Sequence, residues 1–224
     1  RDPAARPPRP LREPLAAWQS WLFAAVPIVV LVGVWWAVTL GEPEQRLVNY
    51  QILPAPGEVL GSLGTLWFDM ALSRSIVTSL VRVFLGFAIG GLLAIVLSLA
   101  MTTWSRVRAV LNPFLAVMGY LPLPALVPLT LAWWGIEEKQ KVGFLAIASF
   151  VYVWPLILKS LDEVADVYLQ TAYTLGATRA QVVRKVLAPI AAADAYQALR
   201  LAFGVGWAYV ILAEAINAER GVGY

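Results

Sequence analysis

Residues 168–189 read YLQTAYTLGATRAQVVRKVLAP, a partly basic, amphipathic run lying between two segments apolar enough to cross a membrane. Just before and within it, Val164, Val167, Leu169, Ala172, Tyr173 and Leu175 recur at helical spacing. Asp162 and Glu163 stand where carboxylates favour a helix N-terminus, so a helix is expected to open there. Gly176 is expected to end it, because glycine tolerates the left-handed backbone of a helix stop. Thr178 followed by Gln181 is a capping-box pattern, which predicts a second helix through Val182, Val183, Val186 and Leu187 as far as Pro189. The reading is helix, glycine turn, helix over 162–189. Such a hairpin can lay an apolar face into a groove on a soluble partner. It can equally fold back on the bilayer, with Arg179, Arg184 and Lys185 toward anionic headgroups.

Composition sets the surroundings of this stretch. Among 224 residues, 60% are hydrophobic and 14% charged, with mean hydropathy +0.71, too little polar surface to coat a soluble globule. The chain reads as an all-α integral membrane protein. It has no Cys and no His, which removes zinc sites, thiol nucleophiles, Ser-His-Asp triads and haem ligation together. The net charge of +3 does not point to nucleic acid, since the basic residues are scattered among loops instead of forming a stripe. The first fourteen residues, RDPAARPPRPLREP, have the composition of a disordered arm and lack a signal-peptide cleavage pattern. The chain starts without Met and stops just after GVGY, so it is expected to continue beyond Tyr224.

Five segments approach the length needed to span the hydrocarbon layer. Trp18–Leu40 carries Trp18 and Trp21 at one end and Trp35 and Trp36 at the other, as interfacial anchors. Residues 41–72 form a loop with one short surface helix, so 15–72 is the first span with its loop and 73–224 the main bundle. A long helix is expected over Ser73–Met101, with Val83–Met101 as its spanning core. Pro113–Trp134 is apolar but interrupted by Pro122, Pro124 and Pro128, so its helix must break or kink. Val142–Leu158 and Tyr196–Ile216 complete the set, and a sixth span is expected beyond Tyr224. With a cytoplasmic N-terminus, that side collects Arg1, Arg6, Arg9, Arg12, Arg106, Arg108, Lys159, Arg179, Arg184, Lys185 and Arg200. The other side holds Arg46, Arg74, Lys139, Lys141, Arg220 and Arg82. Eleven against six places the N-terminus and the 162–189 hairpin in the cytoplasm.

Inside the spans, Arg82 and Glu214 are the ionisable residues whose burial costs several kcal/mol unless they are paired or wet. A structural ion pair and a place on a translocation path both suit them. The proline-broken segment is the other path candidate, because irregular backbone at membrane depth survives only beside protein or a water-filled cavity. Leu121, Pro122, Pro124 and Leu126 are its candidate residues. Gly86 and Gly90, with Gly91 beside them, form a small-residue face open to close packing within one subunit or between two.

The hairpin resembles the cytoplasmic motif of bacterial ABC importer permeases: Glu-Ala-Ala, three residues, Gly, nine residues, Ile, one residue, Leu-Pro. Here the run is Gln170, Thr171, Ala172, then Gly176, then Val186 and Pro189. Gln170, Thr171 and Ala188 depart from it. TLGATRAQVVRKVLAP, ALRLAFGVGWAYVILAEAI, GVGY and LPLPALVPLTLAWWGI look similar to the nitrate, sulfonate, taurine and bicarbonate branch, over about two thirds of the chain. The resemblance implies a polytopic bundle of the type I importer permease kind in the bacterial inner membrane. It also implies that Gln170, Thr171, Ala172, Gly176, Thr178, Arg179, Val186 and Pro189 couple to a separate ABC ATPase. Further implied partners are a second permease copy as a homodimer, a periplasmic or lipid-anchored substrate-binding protein, and membrane lipid. No P-loop is present, so ATP and Mg belong to the ATPase and this chain is expected to hold no cofactor or metal. The rival readings are a membrane-embedded enzyme, for which Ser79, Ser98, Arg82 and Glu214 are the polar groups at hand, and a scaffold without transport.

Overall fold

The computed structural model describes residues 15–42, 46, 48–50, 52–215 and 220–223; the disordered arm expected over 1–14 lies outside them, as do Ile216 and Tyr224. The chain divides into two units, 1–70 and 71–224. In the first, α1 (Ala17–Val38) is apolar on all sides and none of its residues is buried, the surface of a helix solvated by lipid. Trp35 Nε1 donates to the carbonyl of Pro54 (2.9 Å), which ties the helix end to the following loop. A short helix, α2 (Pro56–Phe68), follows, with Pro56 at its first turn and the Glu58 carboxylate accepting the Ala55 amide at 2.8 Å.

The second unit is built on three long helices: α3 (Leu72–Thr103), α6 (Glu138–Asp162) and α9 (Ala188–Glu214). The helix α6 lies between the other two and is the most buried, as a central helix of a bundle must be. Ala94 and Met101 of α3, Val153, Trp154 and Ile157 of α6, and Ala191 and Ala202 of α9 share one core. The glycine face of α3 is spent within the chain. A Cβ on Gly86 would stand 2.5 Å from the Leu145 Cβ, and one on Gly90 would run into the Ala146 carbonyl, so both glycines set the close approach of α3 and α6. Between α3 and α6 run α4 (Ser105–Met118), a 3₁₀ turn (Leu123–Ala125) and α5 (Leu126–Trp134). The path turns by 91° at 119–122, while Pro113 rides inside α4 without stopping it. Among the described residues four helices are long and apolar enough to span a membrane, and this bent pair makes a fifth if its halves count as one.

Two expectations for the hairpin are corrected. Asp162 and Glu163 do not open a helix: α6 runs through Asp162, and α7 (Asp166–Thr174) starts four residues later with Asp166 in its first turn. The misplaced carboxylates sit at an electronegative helix C-terminus and are compensated. Arg108 binds Asp162 through both oxygens (2.8 and 2.6 Å), and Lys159 lies 3.6 Å from Glu163. Nor does Pro189 stop the second helix. After α8 (Arg179–Val182) the backbone widens into a π turn at Val183–Leu187, and α9 continues from there. A proline in a continuing helix lacks the donor for the carbonyl four residues back and crowds it. A wider turn directly before Pro189 accommodates both defects.

Candidate functional site

The three long helices end in two different kinds of site. At the end where α3 and α6 begin and α9 finishes, Arg82 is 3% exposed and Glu214 1%. Their charges are compensated contact by contact. Glu214 Oε1 accepts from Arg82 Nη1 (2.8 Å) and from Ser79 Oγ (2.7 Å), and Oε2 accepts the Gly223 amide (2.9 Å). Ser79 Oγ in turn accepts the Val222 amide at 2.9 Å. Arg82 Nη1 also donates to the Arg220 carbonyl (2.7 Å), its Nε to Glu138 Oε2 (2.7 Å), and its Nη2 to Glu138 Oε1. One guanidinium thus joins α3, α6 and α9 to the turn after α9. Such bonding of the remaining lone pairs is what a buried ion pair requires. Gly221 has φ +142°, and a Cβ there would overlap the Glu214 carboxyl carbon, so only glycine lets the turn close over the pair.

Sequence reasoning singled out Arg82 and Glu214 but did not foresee Glu138, whose position before the apolar run of α6 reads as loop. The role of Ser79 was available from its spacing, three residues before Arg82 and hence on the same helix face. Lys141 is also buried here and donates to the Ile136 carbonyl at 2.9 Å. Ser98 lies apart, its hydroxyl directed to the Trp154 carbonyl at 3.3 Å. The four polar groups of the enzyme reading therefore do not converge on one reacting centre.

At the opposite end, α7 and α8 meet at Gly176, whose φ is +82° with open space where a side chain would be. The Ala177 amide reaches the Ala172 carbonyl (3.0 Å) and the Gly176 amide the Tyr173 carbonyl (2.9 Å). These two bonds are the double closure of a Schellman stop. Thr178 immediately caps α8: Gln181 N donates to Thr178 Oγ1 (3.4 Å) and Thr178 N to Gln181 Oε1 (2.8 Å). Ala172, Val182 and Leu187 are buried, which anchors both arms on the bundle. Gln170, Thr171, Thr178 and Arg179 are exposed, Val186 is half-buried and Pro189 exposed. Val167, Tyr168, Tyr173 and Leu175 stand 50–82% exposed, an apolar surface outside the span.

The bend of the broken pair places Leu121, Pro122 and Pro124 at the surface, while Leu126 packs beside Leu123, Ala148 and Val151. Among the described residues no hydrogen bond joins these four to Arg82 or Glu214.

Comparison with known proteins meets this geometry. Residues 86–224, more than half of the chain, match the family described as "Binding-protein-dependent transport system inner membrane component". The taurine transport system permease protein of Escherichia coli K12 is 33% identical over 202 residues, 88% of this chain and 72% of that protein. A putative aliphatic sulfonates transport permease protein of Bacillus subtilis is 25% identical over 92% of this chain and 73% of its own length. The nitrate import permease protein of Synechocystis is 25% identical over 89% and 74%. The crystal structure of an amino acid ABC transporter with histidines superposes with TM-score 0.58 at 24% identity, over 69% of this chain and 75% of that one, a likeness of fold.

Proposed function

Because the chain belongs to the family of inner membrane components of binding-protein-dependent transport systems, it is a multi-pass ABC importer permease, and we propose that its cargo is a small sulfonate such as taurine. The observation that carries the sulfonate class is the 33% identity to the taurine permease across 88% of the chain. Nitrate and bicarbonate are the competing cargoes within the same branch.

In this reading the N-terminus and the 162–189 hairpin are cytoplasmic, two copies of the chain enclose the path, and a separate ATPase holds ATP and Mg. An external binding protein delivers the solute. The exposed apolar face of α7, set at a fixed angle to α8 by Gly176, enters a groove on the ATPase. Closure of two ATPases would rock the hairpins and switch the cavity from inward to outward, a rigid-body transition. Gln170, Thr171, Ala172, Thr178, Arg179, Val186 and Pro189 belong to this coupling element. Leu121, Pro122, Pro124 and Leu126 at the bend would line the path. Arg82 and Glu214 act beside it as the anchor of the outer end.

Proteoliposomes containing this chain, its ATPase and its binding protein test the reading. Labelled taurine should accumulate with ATP, and unlabelled alkanesulfonate should compete where nitrate does not. Accumulation of nitrate alone would reassign the cargo, and the absence of any ATP-dependent uptake with an assembled complex would remove the transport role.

A further inference from the structure

Where α3 ends beside α8, a groove of about 560 Å³ is walled by Val96, Leu99, Ala100 and Val183. A second hollow of about 510 Å³ shares Trp104 and Arg179 with it and adds Arg106, so the two adjoin at those residues. We propose that together they bind one anionic glycerophospholipid, with an acyl chain in the apolar groove and the phosphate between Arg106 and Arg179.

Three observations select this occupant. The apolar wall is the flank of a spanning helix, whose hydrophobic run continues to Met101, so it faces hydrocarbon that a soluble partner does not enter. Trp104, 52% exposed, closes that run where an interfacial aromatic belongs, at headgroup depth. Charge then identifies the headgroup. Arg106 and Arg179 are exposed, and neither is paired with a carboxylate among the described residues. Arg108, two residues further along the same helix, is instead paired with Asp162. An apolar slot opening into two uncompensated guanidiniums is complementary to a molecule with one apolar tail and one anionic head. Only the leaflet in which the lipid lies rests on the orientation given under Proposed function; the site itself does not.

The test is native mass spectrometry of the detergent-purified full chain, alone and assembled with its ATPase, titrated with phosphatidylglycerol, phosphatidylcholine or inorganic phosphate. Wild type should retain phosphatidylglycerol over phosphatidylcholine and show no adduct with phosphate alone. Arg106→Gln should weaken phosphatidylglycerol about five-fold, the effect of one basic residue near an anionic surface, and Arg106→Lys should restore most of it. Ala100→Phe, which fills the groove, should weaken both lipids, and Arg74→Gln at the other end of α3 should change neither. Equal retention of the two lipids by wild type, or unchanged phosphatidylglycerol binding in both Arg106→Gln and Ala100→Phe, overturns the site. Phosphate binding as tight as the lipid's would make it an anion site without a tail. If ATPase assembly displaces the lipid and Arg106→Gln blocks assembly, the groove belongs to the ATPase and the proposal falls.

Discussion

The bundle treats its two ends in opposite ways. Around Arg82 two carboxylates and a backbone carbonyl close on one guanidinium, a serine and two backbone amides complete the bonding around Glu214 and Ser79, and a glycine turn seals them. Around Gly176 the local bonds are equally complete, yet the surface they hold out is apolar and uncovered, with Leu175 82% and Val167 60% exposed. The first end is finished within this chain. The second leaves apolar side chains exposed, and in the proposed reading these dock on the ATPase. Breaking the first should therefore cost stability, while breaking the second should cost work done on a partner.

The largest effect is expected at Glu214. Glu214→Ala leaves the buried Arg82 with Glu138 and the Arg220 carbonyl and strips acceptors from Ser79 and Gly223, a loss of about 3 kcal/mol or more for breaking a buried pair from one side. The thermal midpoint of the detergent-solubilised protein should fall clearly, whereas Lys139→Ala, at a residue whose side chain is 81% exposed, should leave it in place. An unchanged midpoint for Glu214→Ala would mean that water replaces the pair and that the two ends do not differ as described.

Gly176→Val comes next and should separate the ends. Nothing lies within 4 Å of the missing side chain, so the substitution meets no neighbour and its cost is the left-handed backbone alone, about 1–2 kcal/mol. The corner should move, the bundle should stay folded, and transport with substrate-stimulated ATP hydrolysis should drop together. Asparagine tolerates that backbone better than a β-branched residue, so Gly176→Asn should retain more transport than Gly176→Val. Wild-type transport by Gly176→Val would reduce the hairpin to a surface loop. A smaller loss, about 1 kcal/mol of helix stability, is expected for Thr178→Ala, which removes the cap but keeps the glycine stop. Its effect should appear as faster amide exchange over 179–182 with most transport retained.

The same two ends show what a sequence discloses. The Gly176 corner was legible because a glycine stop and a Thr-x-x-Gln cap are local devices, each decided within four residues. The errors beside it are also physical. Asp162 and Glu163 suit a helix start by charge, but Arg108, 54 residues away in sequence, makes a helix end tolerable there. Pro189 reads as a stop unless the π turn before it is known. At the other end, Arg82 and Glu214 announced themselves by being charged within apolar runs. Their arrangement depended on Glu138 and on a turn folded back from 220–223, contacts between positions far apart in the chain. The direction of the break at 119–122 was likewise beyond reach: prolines forecast an interruption, while the 91° angle follows from packing of Leu123, Leu126 and Val127 against the bundle.

The smallest effect calibrates the largest. Arg46 and Glu58 form a two-bond ion pair (3.1 and 2.8 Å) like that of Arg82 with Glu138, but in the first unit and with the Glu58 side chain 45% exposed. The hydrogen bonds from Arg46, and then from the Ala55 amide, hold the Glu58 carboxyl below its ordinary range. A carboxyl whose folded value is depressed gives stability that is full above its unfolded value and vanishes as pH falls through the folded one. The difference in thermal midpoint between wild type and Glu58→Gln should therefore be small near neutrality and disappear on acidification below the usual carboxylate range of about 4. Added salt should shrink it further, because solvent reaches the Glu58 side of the pair and screens it. The deficit of Glu214→Ala should resist salt, since its partner is sealed from solvent. If both deficits fell in parallel with salt, burial would not be what distinguishes the Arg82 end from an ordinary surface contact.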